Sequence, residues 1–187
     1  MNSLWDLTNN PLIVSLATIS LSALVLSRIS RRRDEMNARR RERVEFVSEM
    51  MTLLNRAISE LTGIVVSDAR LTDRSEEYVH DLFANRLRFA LLSENLFAGK
   101  FNTKDYEDII FCLSAVRYAM MGSPIEERKD HARWRSVLIS RWNLSDDYPD
   151  QYRDLSADLR ECAHSLVQCF RASKALLAEM SHLAYEK

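Results

Sequence analysis

Glycine and proline are scarce in this 187-residue sequence: Gly63, Gly99, Gly122, Pro11, Pro124 and Pro149 are all there are. Sandwiches and barrels with many tight turns, glycine-rich phosphate loops and long flexible linkers all need more of them. No Gly-x-x-x-x-Gly-Lys, Gly-x-Gly-x-x-Gly, Gly-x-Ser-x-Gly or His-Glu-x-x-His pattern occurs, so the common nucleotide, hydride, acyl-transfer and zinc-hydrolase chemistries lack their usual scaffolds. The cysteines, Cys112, Cys162 and Cys169, are odd in number and have no Cys-x-x-Cys spacing. They suit a reducing compartment, where they act as small apolar side chains. Neither enzymatic activity, a cofactor, a metal nor a small-molecule substrate is expected.

With 47% hydrophobic and 28% charged residues, the chain has the composition of a folding sequence. The scarcity of helix breakers makes the expected class all-α. Its length allows one ordinary domain plus a short extra segment. The net charge of −1 conceals an asymmetry. Residues 1–43 hold eight arginines against four acids, a net of +4, while 44–187 hold 18 basic and 23 acidic residues, a net of −5. A local basic excess on an acidic chain does not favour nucleic acid as a partner.

From Leu7 to Ser27 no residue is charged. At helical rise these 21 positions cover about 31 Å, the thickness of a bilayer's hydrocarbon core. The sequence therefore predicts a short tail over 1–10 and a transmembrane helix over 11–29. Asn9 or Asn10 would cap that helix, Pro11 suits its first turn, and Trp5 sits at the interface. A cleaved signal peptide fits less well, because the leading segment carries Asp6 with no lysine or arginine, and no Ala-x-Ala-like site follows. A buried soluble helix is the other rival. Within the span, Ser15, Thr18 and Ser22 share one side, where small residues permit close association of helices.

Behind the span come Arg28, Arg31, Arg32, Arg33, Arg39, Arg40, Arg41 and Arg43. Arginines stay on the cytoplasmic side. The expected location is thus the inner (plasma) membrane, single-pass, with the N-terminus outside, an arginine-rich juxtamembrane segment over 30–43 and a cytoplasmic helical bundle over 44–187. The same arginines can bind anionic lipid headgroups, each contributing on the order of 1 kcal/mol near the surface.

About five helices are expected in the bundle. The first continues from the span to about Leu71. Val44, Val47, Met51, Leu54, Ile58, Leu61 and Val65 recur at alternating spacings of three and four, a heptad pattern. Met50, Ala57 and Ile64 widen that stripe beyond a two-stranded seam, which favours burial inside a bundle over a coiled coil between chains. Further helices are expected over Ser75–Ala98 with Gly99 at the end, Thr103–Met121 capped by Asn102, Ser123–Asn143 with a Ser-Pro-x-Glu start, and Gln151–Tyr185.

Three of the four histidines follow a glutamate at a spacing of three: Glu77/His80, Glu161/His164 and Glu179/His182. Such pairs build dinuclear carboxylate sites when they point into a core. On the helical wheel they fall away from the apolar faces, so solvent-facing pairs are expected instead. Two basic residues, Arg86 and Arg117, fall among apolar neighbours and need either an internal carboxylate partner or a route to water; the alternative is a site for an acidic partner or headgroup. Trp134, Leu138 and Trp142 form a stripe flanked by arginines, suited to core packing or to an interface.

The reading that follows is a membrane-tethered, non-enzymatic adaptor or accessory subunit. Its expected partners are anionic lipid headgroups and either a protein or further copies of itself. The alternatives are a membrane effector whose clustered spans perturb the bilayer and, less favoured, a carboxylate/His metal enzyme.

Overall fold

A computed structural model describes residues 11–67, 73–97, 100, 102–121 and 125–185, without the side chains of 11–14, 16–19, 73–76, 87–90 and 125–128. The tail over 1–10, the expected caps Asn9 and Asn10, Gly99 and the Ser123-Pro124 start signal lie outside the described residues.

Among the described residues all regular structure is helical. The elements are α1 (Pro11–Ser67), α2 (Asp73–Ala84), α3 (Arg86–Phe97), α4 (Thr103–Met120), α5 (Ile125–Trp142), a 3-10 turn (Asp150–Tyr152) and α6 (Ala157–Tyr185). The chain divides into two compact units, Met1–Glu42 and Arg43–Lys187.

In the first unit, every described side chain from Ser20 to Glu42 is exposed. Leu21, Leu24, Val25, Leu26 and Ile29 are among them. The Ser27 hydroxyl donates to the Leu24 carbonyl at 2.9 Å, a local bond that satisfies the hydroxyl without an outside partner. Among the described residues no helix is long and apolar enough to cross a membrane. The side chains at 11–14 and 16–19, the leading part of the helical uncharged stretch, are not among those residues.

The second unit is a bundle around α4. A helix that is apolar nearly all round must be covered on every side, and in α4 Tyr106, Ile109, Ile110, Cys112, Leu113, Ala115 and Val116 are all buried. It packs chiefly against α5 and α6. Small residues on α6 (Ala163, Ser165, Ala172, Ser173 and Ala184) are buried too, giving neighbouring helices room to approach closely. The heptad stripe belongs to this core: Val47, Met51, Leu54, Ile58, Leu61 and Val65 are buried and Val44 is half-buried, with Met50, Ala57 and Ile64 beside them. That face of α1 is covered within the chain.

Two boundaries differ from the sequence pattern. The helix expected over Ser75–Ala98 is two helices, interrupted at Asn85. There the side-chain amide donates to the Asp81 carbonyl at 2.8 Å, and the backbone N–H of Asn85 takes the same carbonyl at 3.0 Å. An asparagine that competes with the backbone in this way disrupts a helix interior. The last helix begins at Ala157 rather than Gln151, because Pro149 leads only into one 3-10 turn. Ser156 then accepts from the Leu159 N–H at 3.4 Å and serves as the cap.

Two other termini follow their local chemistry. Asn102 accepts from the Lys104 N–H at 3.1 Å and caps α4. Asn143 ends α5 at φ 50°, and the Leu144 N–H returns to the Ile139 carbonyl at 3.0 Å. Asparagine is among the few residues that tolerate this left-handed position in place of glycine.

Candidate functional site

The start of α4 and the end of α5 lie side by side, which places an acid and a base where the helix dipoles favour them. Asp105 stands in the first turn of α4 and Arg141 in the last turn of α5. They meet in a two-pronged ion pair: Arg141 Nε donates to Asp105 Oδ1 at 2.7 Å, and its terminal nitrogen donates to Oδ2 at 2.8 Å. The Asp105 side chain is 2% exposed and that of Arg141 45%, so the carboxylate is inside and the guanidinium covers it. The hydrogen bonds and charge of Asp105 hold Arg141 even more firmly in its protonated form.

Asp108 is one turn further along α4. It is buried, at 6% exposure, and among the described residues its carboxylate forms no hydrogen bond or ion pair. Burial raises its pKa above the ordinary carboxylate range. Lys104 and Arg141 oppose that shift, while Asp105 and Glu107 add to it. Asp105 and Asp108 line a cleft of about 510 Å³ together with Asn102, Lys104, Ser136, Val137, Ser140 and Arg141.

A second concavity, of about 630 Å³, lies between α6 and the part of α1 from Asn55 to Val66, with Ile58, Leu166 and the exposed Phe170 on its walls.

The histidines occupy unlike settings. His131 is buried, and its Nδ1 lies 3.1 Å from the Ser165 hydroxyl, which joins α5 to α6. His164, expected to face water, is half-buried: its ring stacks on Tyr148 at 4.9 Å, and its Nε2 lies 3.1 Å from Asp146 Oδ1, out of hydrogen-bond alignment. The acidic loop folds back over this ring, with the Ser145 carbonyl accepting from Gln168 at 3.1 Å and from Arg171 at 2.7 Å. Burial lowers the pKa of both histidines. Glu77, His80, Glu161 and His182 are exposed, and Glu179 is half-buried. No group of three or more His, Cys, Asp or Glu able to hold a metal ion is found among the described residues.

The remaining expected site residues are dispersed. Arg28, Arg31, Arg32, Arg33, Arg39, Arg40 and Arg41 are exposed along α1. Arg43 differs from this cluster, since its Nε donates to the Leu96 carbonyl at 2.7 Å and its guanidinium lies 5.8 Å from the Phe97 ring centre. It fastens α1 to α3. Arg86 reaches water past Phe111, 5.9 Å from its ring centre, with Glu107 at 3.9 Å. Arg117 is half-buried, 5.3 Å from the Tyr118 ring centre. Leu138 is fully buried, and Trp134 and Trp142 are half-buried against the core, Trp134 stacked on Phe111 at 5.0 Å. The tryptophan stripe is therefore packing. Ser15 and Ser22 are exposed, and the side chain of Thr18 lies outside the described residues.

Sequence patterns did not single out Asp105, Asp108 or His131. The available signal was the three-residue spacing that puts both aspartates on one side of α4, next to buried Cys112.

Fold and cleft together define an all-α bundle with a polar cleft bordered by the Asp105–Arg141 ion pair. The chain matches no protein-family model, no curated protein and no solved structure.

Proposed function

We propose that this chain is a membrane-tethered interaction protein that holds a helical bundle at the cytoplasmic face of a membrane, as an adaptor or accessory subunit. One observation carries the reading. An uncharged stretch of 21 residues is followed at once by eight arginines, and the described leucines of its trailing half are exposed, Leu24 at 68% and Leu26 at 66%. Exposed leucines at this density are costly in water and favourable in lipid, at about 25 cal/mol per Å² of apolar surface. Guanidinium groups do not cross the bilayer, which puts residues 44–187 on the cytoplasmic side. Arg28 to Arg41 then lie at headgroup level, where anionic lipids attract them.

The adaptor role is supported by what the bundle leaves exposed. Its heptad and tryptophan stripes are covered internally, so a partner has to meet the remaining surface: the polar cleft of α4 and α5, or the concavity beside Phe170. Crosslinking in native membranes, followed by recovery of the full chain through a C-terminal tag, tests the role. The expected result is a reproducible second protein or a homo-oligomer. A chain recovered only as an uncrosslinked monomer contradicts it.

A further inference from the structure

We propose that the concavity between α1 and α6 is the contact face of a homodimer, in which Phe170 of each copy seats over Gly63 of the other. The proposal rests on the reading of this chain as a tethered interaction protein and names its partner, a second copy of the same chain.

The face has the makeup of an interface centre. None of the eleven residues lining the concavity is charged, although charged residues are 28% of the chain. Interface centres are poor in charge and rich in aromatic side chains, and Tyr152 and Phe170 both stand here. Phe170 is 46% exposed and Val66 55%, so two large apolar side chains of one face meet water. Residues 44–187 carry a net charge of −5, and an uncharged face lets two such bundles meet without setting like charges against each other.

The same face carries a hole and a knob. Gly63 lies within α1, where a glycine weakens the helix and serves to let another group approach the backbone. No group of its own chain does so, since a Cβ built at Gly63 meets nothing within 4 Å. The concavity beside it, about 630 Å³, has room for a phenyl ring. Opposite charges flank the two features. Lys174, one turn beyond Phe170, holds its ammonium 5.7 Å from the ring centre, and Glu60 stands one turn before Gly63. A ring seated over Gly63 therefore carries Lys174 toward Glu60 of the other copy. Copies tethered to one membrane face run parallel, and a two-fold axis along the membrane normal makes this contact twice.

The test uses the full chain in native membranes, with Ser59→Cys on the wall of the concavity as reporter and a short bismaleimide as crosslinker. The native cysteines are buried, so the parent is expected to run as a monomer on a denaturing gel and Ser59→Cys as a dimer. Ser136→Cys, exposed on α5 outside the concavity, is expected to give none. In the Ser59→Cys background, Lys174→Glu is expected to cut the dimer fraction about tenfold or more, and Glu60→Lys added to it to restore the dimer. That recovery needs two copies meeting through these residues, and it shows that the variant chains fold. No dimer from Ser59→Cys overturns the proposal, as does an equal dimer from Ser136→Cys, which marks random collision. A Lys174→Glu chain that dimerises as before, or that Glu60→Lys fails to restore, also overturns it. A crosslink from Ser59→Cys to a protein of another mass gives the face a different occupant and overturns it too. Should the face fail while tag recovery still returns a second protein, the adaptor role stands without the homodimer. Should the charge exchange restore a dimer that alkaline carbonate releases from membranes, the tether falls and the face stands.

Discussion

Arg141 grips Asp105 through two parallel hydrogen bonds, 2.7 and 2.8 Å long, and so ties the end of α5 to the beginning of α4. The carboxylate is almost fully covered while the guanidinium is about half exposed. Removing the arginine strands a buried charge, which costs several kcal/mol where both partners are enclosed; solvent beside Arg141 reduces that here. Arg141→Ala is expected to lower the unfolding free energy by about 2 kcal/mol in urea titration. Arg141→Lys recovers only part of this, since a lysine cannot present the fork. The double variant with Asp105→Asn should be more stable than Arg141→Ala alone. An Arg141→Ala protein as stable as its parent removes the pair from any structural role.

Core substitutions separate the two units. Leu54 and Leu113 are fully buried in the second unit, whereas Leu24 is 68% exposed in the first. Leu54→Ala and Leu113→Ala should each destabilise the bundle by about 2–5 kcal/mol. Leu24→Ala should change its unfolding by less than about 0.5 kcal/mol. A large loss in Leu24→Ala, followed by circular dichroism during denaturation, contradicts the exposed placement of that residue.

What the sequence could convey was whatever depends on spacing along one helix. The run from Val44 to Val65 has helical periodicity, and those residues form the core face of α1. Asn102 stands where a capping residue belongs, and it caps. Contacts between distant segments left no such trace. Nothing near Arg43 distinguishes it from the arginines before it, yet its partner, the Leu96 carbonyl, is 53 residues away. Trp134 reads equally well as interface or core until Phe111 is seen stacked on it. His164 sits on the polar side of its own helix, and only the return of Tyr148 over the ring encloses it. Asp105 and Asp108 belong to the same class, because their burial depends on α5. Asn85 is different: its local competition for the Asp81 carbonyl was available to sequence reasoning, but the apolar pattern on both sides runs straight through it.

Acid should loosen the bundle through His131 and His164. Burial holds both imidazoles below their ordinary pKa of 6.5, although Glu161 favours protonation of each, joined by Asp158 at His131 and Asp146 at His164, while Arg135 opposes it at both. A folded pKa below the unfolded one means that the unfolded chain binds more protons, so stability falls as pH drops below about 6.5. Asp108 acts in the opposite sense, its raised pKa easing its penalty once protons bind in mildly acidic solution. Denaturant midpoints at pH 7.5 and 5.5 should therefore differ less in a His131→Gln, His164→Gln protein than in the parent. An unchanged difference rules out the two rings as its source.

The thiols should be silent in the native state. Cys112, Cys162 and Cys169 are free and buried, and burial pushes the Cys169 thiol well above its ordinary pKa, with Cys112 adding to the effect. Only thiolate reacts rapidly, so a chromogenic disulfide reagent should find no fast thiol in the folded chain and three after denaturation. A fast-reacting native thiol contradicts this packing of α4 and α6.

Membrane attachment is the claim on which the functional reading depends most. Its most direct measurement is alkaline carbonate extraction of membranes carrying the full chain, combined with protease protection of a C-terminal tag in intact cells. The expected result is a chain that stays in the membrane pellet through high salt and high pH, with a tag cleaved only after the cells are opened. A chain released into the aqueous fraction, or a tag cleaved from outside intact cells, contradicts it.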